Sequence, residues 1–326
     1  MRRSILKLRK SLVGWITLSL LLWLTSDARA DDGFTFTSID FPGAAFTFGR
    51  AINPAGEIVG WYCQKADCAI IHGFLRSPEG SFTQIDVPVA GAVTFALGIN
   101  PAGAIVGGYT DSVGNTHAYV LNENGGGGDD DQGDVHTPPR FTSFDVPGFT
   151  STTARGINPR GDIVGFYCCD SSGNFHGLLR HRDGTLTKID VPNAVGTVAM
   201  WISPEGEIVG IYADTSGNNH GFLRSPDGKF TTIDVPFGVP GSTNAFGINP
   251  NGQIVGCYGD AKAIVHGFVR SRHGTFTIID VPVPNTVATI PFGINPGGEE
   301  IVGEYDGADG SAHGFLLSHQ ENRNHK

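Results

Sequence analysis

The sequence GINPNGQIVGCY, residues 247–258, decides the fold of this chain because the chain repeats it. The phrase HGFVR follows at residues 266–270, and FTIIDVP follows at residues 276–282. All three phrases recur in this order, and the isoleucine of the first phrase falls at Ile52, Ile99, Ile157, Ile202, Ile248 and Ile294. Six copies of about 46 residues predict an architecture built from one repeated supersecondary unit.

Each copy contains four short segments rich in β-branched and aromatic residues, which are typical of strands. Turn-forming phrases separate them, such as NPAG at residues 53–56 and SPDG at residues 225–228. Three short links would join four strands into an antiparallel meander, and the longer link after Ile-Asp-Val-Pro would lead to the next copy. We therefore predict an all-β, six-bladed β-propeller of four-stranded antiparallel blades.

The two ends of the repeat region carry complementary parts of one copy. The last copy stops at Leu317, after its third segment, whereas residues 36–40 read FTSID, a fourth segment without the other three. We predict that the N-terminal strand completes the last blade and closes the ring, which removes long unpaired sheet edges. An open solenoid of stacked hairpins is the alternative, but it does not explain the complementary ends.

The first 30 residues have the order of a secretory signal peptide. Basic residues lie between Arg2 and Lys10, an apolar run covers residues 12–24, and Ala28-Arg29-Ala30 offers a small-x-small cleavage site. Thirteen apolar-rich residues are few for a membrane span, although an uncleaved anchor is the alternative. We predict a secreted protein, periplasmic or extracellular, with no membrane span after signal cleavage.

Charge and composition exclude some partners and divide the chain into regions. Without residues 1–30, which hold six basic residues and one acidic residue, the chain has 16 Lys and Arg against 31 Asp and Glu. Such a surface repels nucleic acid, so we expect no nucleic-acid partner. We assign residues 31–318 to the propeller, residues 122–139 to a disordered Gly/Asp-rich insertion, and residues 319–326 to a polar C-terminal tail.

Five cysteines are present, and two of them flank a short loop. Cys63 and Cys68 are candidates for a disulfide in an oxidising compartment, whereas Cys168 and Cys169 are adjacent and Cys257 lies alone in a predicted strand. No cysteine spacing resembles a zinc site, and the Asp-x-x-Gly loops lack the alternating oxygen ligands of calcium loops. We expect no metal and no cofactor.

The recurring His-Gly-Phe phrase, together with Gly-Ile-Asn and Ile-Val-Gly-x-Tyr, resembles the bacterial extracellular HAF-repeat family. The resemblance covers residues 34–318, although the fourth copy departs from it with Trp201-Ile202-Ser203-Pro204. It implies an exported bacterial repeat protein with a β-propeller-like fold, and it implies no particular reaction.

One histidine per copy opens the third segment, and one aspartate per copy ends the fourth. Because one asymmetric site cannot use six equivalent copies, we predict that these residues brace the third strand against the fourth by His–Asp hydrogen bonds, as in WD-repeat blades. Of the six repeat histidines, which include His117, the bracing prediction names His72, His176, His220, His266 and His313, and of the aspartates it names Asp86, Asp190, Asp234 and Asp280.

Candidate binding residues lie where the copies differ. Two positions before each Ile-Asn, the predicted innermost strands carry Arg50, Leu97, Arg155, Met200, Phe246 and Phe292. Arg50 and Arg155 could grip a carboxylate near the propeller channel, and Trp201, with Trp61, could stack on a sugar ring. The alternative is that the arginines pair with repeat aspartates and that Trp201 fills a gap between blades.

No catalytic residues emerge, because the chain contains no Gly-x-Ser-x-Gly elbow, no His-Glu-x-x-His and no phosphate-binding loop. The sequence therefore favours a non-catalytic, monomeric binding or interaction propeller whose partner is a glycan or another extracellular protein. The alternative function is a carbohydrate-active enzyme, a polysaccharide lyase or glycoside hydrolase, that acts at the channel mouth. A purely structural surface protein is a third reading.

Overall fold

The computed structural model describes residues 34–122 and 140–319. All regular structure within these residues is β, as the sequence predicts. The predicted signal peptide at residues 1–30 lies outside the described residues, as do the predicted insertion at 122–139 and the predicted tail at 319–326 except for their first residues. Those two residues, Asn122 and His319, belong to strands, so the insertion and the tail each begin one residue later than predicted. Nothing in the described ranges forms a helix long and apolar enough to cross a membrane.

The strands follow the repeat closely: the first phrase covers the end of one strand, a turn and the next strand, and each of the other two phrases contains most or all of one strand. The first twelve are β1 (Phe34–Ser38), β2 (Phe46–Ile52), β3 (Ile58–Cys63), β4 (His72–Arg76), β5 (Phe82–Ile85), β6 (Val93–Ile99), β7 (Ile105–Thr110), β8 (Thr116–Asn122), β9 (Arg140–Phe144), β10 (Ser151–Ile157), β11 (Ile163–Cys168) and β12 (His176–Arg180). The others are β13 (Leu186–Ile189), β14 (Gly196–Ile202), β15 (Ile208–Ala213), β16 (Asn219–Arg224), β17 (Phe230–Ile233), β18 (Asn244–Ile248), β19 (Ile254–Gly259), β20 (Val265–Arg270), β21 (Phe276–Ile279), β22 (Thr286–Ile294), β23 (Glu300–Gly307) and β24 (Ala312–His319).

Consecutive strands pair antiparallel in every copy of the repeat. Strands β14 to β17 form a separate sheet in chain order, with Ile202 opposite Ile208 and Gly221 opposite Ile233. The remaining strands belong to an eight-stranded and a twelve-stranded sheet, because single parallel bridges link neighbouring meanders, such as Phe46 with Ala312. Each meander is therefore an antiparallel unit in contact with the next.

The first strand of the described chain pairs with the last. Strand β1 runs antiparallel to β24, with Phe34 opposite His319 and Ser38 opposite Phe315. Strands β22, β23 and β24 pair in order, so β1 is the fourth strand beside them. The predicted pairing of the N-terminal strand with the last copy is confirmed.

The glycine of each Ile-Val-Gly phrase is required by close packing. A Cβ on Gly210 would overlap the carbonyl oxygen of Val198 on the neighbouring strand and would lie 2.7 Å from the Phe222 ring. The phenylalanine of the His-Gly-Phe phrase fills that space and is fully buried. A Cβ would likewise overlap a carbonyl oxygen of the neighbouring strand at Gly60, Gly107, Gly165, Gly256 and Gly303.

The hydrophobic core lies between neighbouring meanders. One cluster joins Val209 and Ile233 from the fourth repeat to Ala245, Ile254 and Phe268 from the fifth, all of them buried. Because every meander buries both faces against its two neighbours, the apolar residues of its strands follow one another without the alternation of a half-exposed sheet.

The predicted His–Asp bonds are present, and each ties a third strand to the end of a fourth. His220 Nδ1 lies 2.9 Å from the Asp234 carboxylate, and His313 Nδ1 lies 3.1 Å from the carboxylate of Asp40, which follows β1. The tyrosine of each Ile-Val-Gly-x-Tyr phrase packs against the same imidazole, as Tyr212 does on His220. The other pairs are His72–Asp86, His117–Asp145, His176–Asp190 and His266–Asp280.

Candidate functional site

Equivalent residues from all six copies converge on one small cavity. It is lined by Trp201 and by the residues two positions before each Ile-Asn, here named the central ring: Arg50, Leu97, Arg155, Met200, Phe246 and Phe292. The first strand of each meander is therefore the innermost, as the sequence predicts. The cavity measures about 10 Å³, which is the space of about one water molecule. A sugar ring cannot enter it.

Arg50 forms an ion pair inside the protein. Its Nη2 lies 3.0 Å from Glu304 Oε2, and both side chains are 11% exposed. The guanidinium also lies over the Phe292 ring, 3.9 Å from its centroid, and 5.5 Å from the centroid of Trp61. Arg50 Nε and Glu304 Oε2 nonetheless lack a hydrogen bond of good geometry. The expected alternative, a pair between Arg50 and a repeat aspartate, is wrong because those aspartates bind the repeat histidines instead.

Burial dominates the electrostatics of this pair. It raises the pKa of Glu304 to about 7; the charge of Arg50 opposes the rise, and that of Asp306 adds to it. Burial likewise lowers the pKa of Arg50, and the charge of Glu304 counters that effect. The carboxyl group of Glu304 thus changes its charge near neutral pH.

Arg155 is the second cation of the central ring, and no carboxylate pairs with it. No ion pair within residues 34–122 and 140–319 includes Arg155, and its buried Nε has no hydrogen-bond partner. Its guanidinium lies 5.4 Å from the centroid of the Phe166 ring. Burial, followed by repulsion from Arg50, lowers the pKa of Arg155 to about 10, although Glu304 opposes this. Arg155 remains cationic at neutral pH and lines the cavity without an ion pair in the described part of the chain.

An aromatic surface adjoins the central ring. Phe48 and Trp61, on the paired strands β2 and β3, stack with their ring centroids 3.8 Å apart. Phe95 meets Trp61 edge-on at 5.4 Å. All three side chains are partly exposed, and we name them the aromatic wall. Aromatic faces of this kind are typical of surfaces that stack on sugar rings.

Trp201 has a packing role in this arrangement. It lines the central cavity and also a second cavity of about 50 Å³, which is formed by the isoleucines and prolines of the Ile-Asn-Pro phrases. It packs against one core cluster that contains Ile248 and another that contains Ile99. The indole therefore separates the two cavities and fills space between repeats.

The structure brings together Arg50, Arg155, Trp201 and Trp61, the four residues selected from the sequence. Sequence reasoning missed Glu304, the partner of Arg50. It occupies the variable position of Ile-Val-Gly-x-Tyr, where the other copies carry Trp61, Gly108, Phe166, Ile211 and Cys257. A comparison of this position among the six copies would have singled out Glu304, because it is the only charged residue there.

One of two disulfides in the described residues lies beside the aromatic wall. Cys63, at the end of the strand that carries Trp61, is bonded to Cys68 across the following loop. Cys168 and Cys169 are also bonded to each other, which the sequence reasoning did not anticipate. Cys257 is free, and burial raises its pKa to about 12. No cluster of three or more metal-ligating side chains occurs in the part of the chain that the structure describes.

No protein-family model matches this chain, and no curated protein matches it. Among solved structures, the fungal lectin of Aleuria aurantia, described as a six-bladed β-propeller with a novel fucose recognition mode, has a TM-score of 0.52 at 10% identity, over 86% of this chain and 93% of the lectin. A mutant of AofleA from Arthrobotrys oligospora has a TM-score of 0.52 at 12% identity, over 86% of this chain and 85% of that one. A streptogramin B lyase reaches 0.49 at 15% identity, over 91% of each chain, and carries no argument at that similarity. The likenesses to the first two structures concern the fold alone, and they show that this all-β chain has the architecture of a β-propeller.

Proposed function

We propose that this protein is an exported, non-catalytic β-propeller that binds a glycan at the aromatic wall and the central ring. In this proposal the six meanders are four-stranded blades, and β1 closes the ring beside β24. The convergence of six equivalent residues on one cavity supports six blades. The β1–β24 pairing and the His313–Asp40 bond support closure at the chain ends.

Export and family membership belong to the same proposal. The signal-like order of residues 1–30 and the resemblance to the HAF-repeat family support them. Expression of the full chain in a bacterium with a secretory pathway, followed by N-terminal sequencing of the exported protein, tests the proposal. A mature protein that begins at Asp31 is the expected result. A cell-retained protein that keeps its first residues would contradict it.

One observation carries the binding proposal: a buried cation that forms no ion pair within the described residues lies beside partly exposed, stacked aromatic rings. Among residues 34–122 and 140–319 the Arg155 guanidinium forms no ion pair, and Trp61 and Phe48 adjoin the same central ring. A sugar ring would stack on the wall, and an acidic or hydroxyl oxygen would point toward the arginines. The central cavity has room for about one such oxygen and not for a ring.

A second candidate, a carbohydrate-active enzyme, has one specific observation in its favour. Glu304 is buried with its pKa raised to about 7, the range in which a carboxylic acid serves as a general acid near neutral pH. However, Glu304 already pairs with Arg50, and the adjoining cavity holds only about one water molecule. We therefore favour binding over catalysis.

The experiment is size-exclusion chromatography with light scattering on a panel of polysaccharides, each incubated with the mature protein. We expect co-elution with at least one polymer at unchanged polymer mass. The Trp61→Ala variant should weaken that binding about tenfold. The reason is that stacking of one ligand ring on one aromatic side chain contributes a binding free energy equivalent to roughly a tenfold change in affinity. Ile211→Ala, at the same position of another repeat, is the matched control and should bind as the wild type does.

The other outcomes separate the alternatives. A polymer peak that shifts to lower mass would show cleavage and would favour the enzyme, with Glu304→Gln as the variant to abolish it. Absence of binding to every polymer would contradict the glycan proposal and direct the search to extracellular protein partners. Light scattering of the protein alone also reports whether it is the monomer that we expect.

A further inference from the structure

A cleft of about 380 Å³ lies where the meander β6–β9 meets the meander β10–β13. We name it the seam cleft. None of its lining residues belongs to the central ring or the aromatic wall. Its volume lies within the range of small-ligand sites. The residues that matter here are Asn100, Ala104, Val120, Arg160, Arg180 and Arg182.

The cleft exists because one repeat lacks a polar side chain that the others have. After the Asn-Pro or Ser-Pro turn, the other copies carry Glu57, Asp162, Glu207, Gln253 and Glu300 at the position of Ala104. In the first copy the Asn53 amide donates to the Glu57 carboxylate at 2.6 Å, which fills the equivalent space. Asn100 has no such neighbour at Ala104 and reaches across the seam to the Asn158 carbonyl at 3.5 Å. The methyl group of Ala104 therefore leaves the space open.

Arg180 leans into the seam instead of onto its own meander. Arg76, Arg224 and Arg270, its equivalents, each lie over a phenylalanine of the next strand in the same copy. The third copy has Leu186 at that position, and Arg180 lies over Phe144 of the preceding meander, 4.9 Å from the ring centroid. The guanidinium is thereby held at the cleft by an aromatic face.

The seam cleft concentrates positive charge on an acidic protein. Three arginines line it, although the whole chain has 22 Lys and Arg against 32 Asp and Glu. Within the described residues, neither Arg180 nor Arg182 takes part in an ion pair; Arg160 lies 3.4 Å from Asp162 and is 57% exposed. Guanidinium groups match carboxylate and sulfate in planar, two-point geometry. Val120 and neighbouring Ile and Pro side chains supply an apolar floor.

We propose that the seam cleft is a second ligand site, which binds an acidic sugar unit of a uronate- or sulfate-bearing glycan. The arginines would bind the anionic group, and the apolar floor would accept the C–H face of the sugar ring. The anion-binding chemistry is shared by uronates and sulfated sugars, so the test uses both. This site does not depend on binding at the aromatic wall.

Isothermal titration calorimetry of the mature protein tests the proposal. The probes are an oligogalacturonate hexamer with its methyl ester, and sulfated maltohexaose with unsulfated maltohexaose. We expect binding of at least one charged probe, at least tenfold weaker binding of its neutral counterpart, and weaker binding as NaCl rises from 50 to 300 mM. The probe that binds more tightly distinguishes carboxylate from sulfate.

Two variants locate the site. Ala104→Glu restores the acidic residue that other copies carry, so the repeat tolerates it, and we expect at least tenfold weaker binding. Arg182→Ala changes an exposed turn residue, so we expect a change in stability within about 0.5 kcal/mol. About fivefold to tenfold weaker binding is expected for one charge-assisted contact. Arg224→Ala, at the position equivalent to Arg180, is the control and should change the affinity by less than twofold.

Other results would overturn the proposal. It is wrong if no charged probe binds the wild-type protein, or if Ala104→Glu and Arg182→Ala both bind as the wild type does. Arg155→Met separates this site from the central ring. If that variant loses binding while the seam variants keep it, the acidic sugar binds at the central ring and the seam cleft is not a site.

Discussion

Arg50 on β2 and Glu304 on β23 form an ion pair, Nη2 to Oε2 at 3.0 Å, between the second and the second-to-last strand of the described chain. The pair connects the two ends of the repeat series through the central ring. Because burial holds the pKa of Glu304 at about 7, the pair is fully charged only above neutral pH. The strength of this link between the chain ends is therefore set by pH.

Arg50→Met should destabilise the protein in a pH-dependent manner. Methionine occupies the equivalent position at Met200, so the ring accommodates its shape. Above pH 8 the variant leaves a buried carboxylate without its partner, at a cost of about 3 kcal/mol in the free energy of unfolding. Below pH 6 Glu304 is largely protonated in both proteins, and the difference should shrink. Thermal unfolding from pH 5 to 9 measures it, and a loss of stability that is the same at every pH would contradict the assignment.

Arg155→Met should keep or increase stability. Arg155 is a cation with a lowered pKa and a buried Nε that lacks a partner, so its removal relieves an unfavourable burial. We expect a gain of about 1 kcal/mol in urea unfolding at pH 7. A loss of several kcal/mol would mean that Arg155 holds the ring together. Leu97→Met at the same ring position is the control for changes of shape alone.

The His–Asp bonds should make stability depend on pH above neutrality. Burial lowers the pKa of His220, but hydrogen bonds and charges of Asp234 and Asp214 outweigh it, and the pKa is raised. The raised pKa contributes stability in full below about pH 6.5, the ordinary value for histidine, and that contribution is lost as pH rises through the raised pKa. Burial is also the largest single influence on His117 and His266 and lowers their pKa values. Hydrogen bonds and charges of their Asp partners together outweigh it, so both pKa values are raised.

The measurement is the melting temperature of His220→Gln against the wild type from pH 5 to 9. The deficit should be about 2 °C at pH 5 to 6, as a partly exposed pair of under 1 kcal/mol predicts. It should shrink above pH 8. His273→Gln, an exposed turn residue, is the control and should melt as the wild type does.

Asp214 affects stability at acid pH. The backbone N–H of Asn218 is the main cause that lowers the pKa of Asp214 to about 2. The stability that this lowered pKa contributes is lost as pH falls from about 4.

Gly210→Ala should be strongly destabilising. The added methyl group would overlap the Val198 carbonyl and press on the Phe222 ring, so the strands must separate, at a cost of about 3 kcal/mol or more. Gly196→Ala is the matched control in the same meander, because the nearest atoms to its Cβ are 3.8 Å away and its φ is not positive. We expect that control to change stability by less than about 0.5 kcal/mol. Equal effects of the two substitutions, in chemical denaturation, would contradict the packing argument.

The strands, the turns and the His–Asp bonds could be read from the sequence because local chemistry repeats. The Asn-Pro-x-Gly turn depends on residues within four positions of each other: the Asn249 side chain accepts the Gln253 N–H. The glycine before Cys257 and the phenylalanine at Phe268 recur in most copies because they pack together: a Cβ on Gly256 would lie 2.7 Å from the Phe268 ring, as a Cβ on Gly210 would from the Phe222 ring. The complementary chain ends likewise predicted that β1 pairs with β24.

The sequence by itself determined the all-β class, the antiparallel meander and the positions at which the repeats differ. Only the tertiary structure decided which of those variable residues meet. It paired Arg50 with Glu304, left the buried Nε of Arg155 without a hydrogen-bond partner and placed Trp201 between two cavities. It also opened the seam cleft beside Ala104. The physical reason is range: strand, turn and bond patterns arise within one repeat, whereas contacts between repeats depend on how the meanders are placed around a common centre.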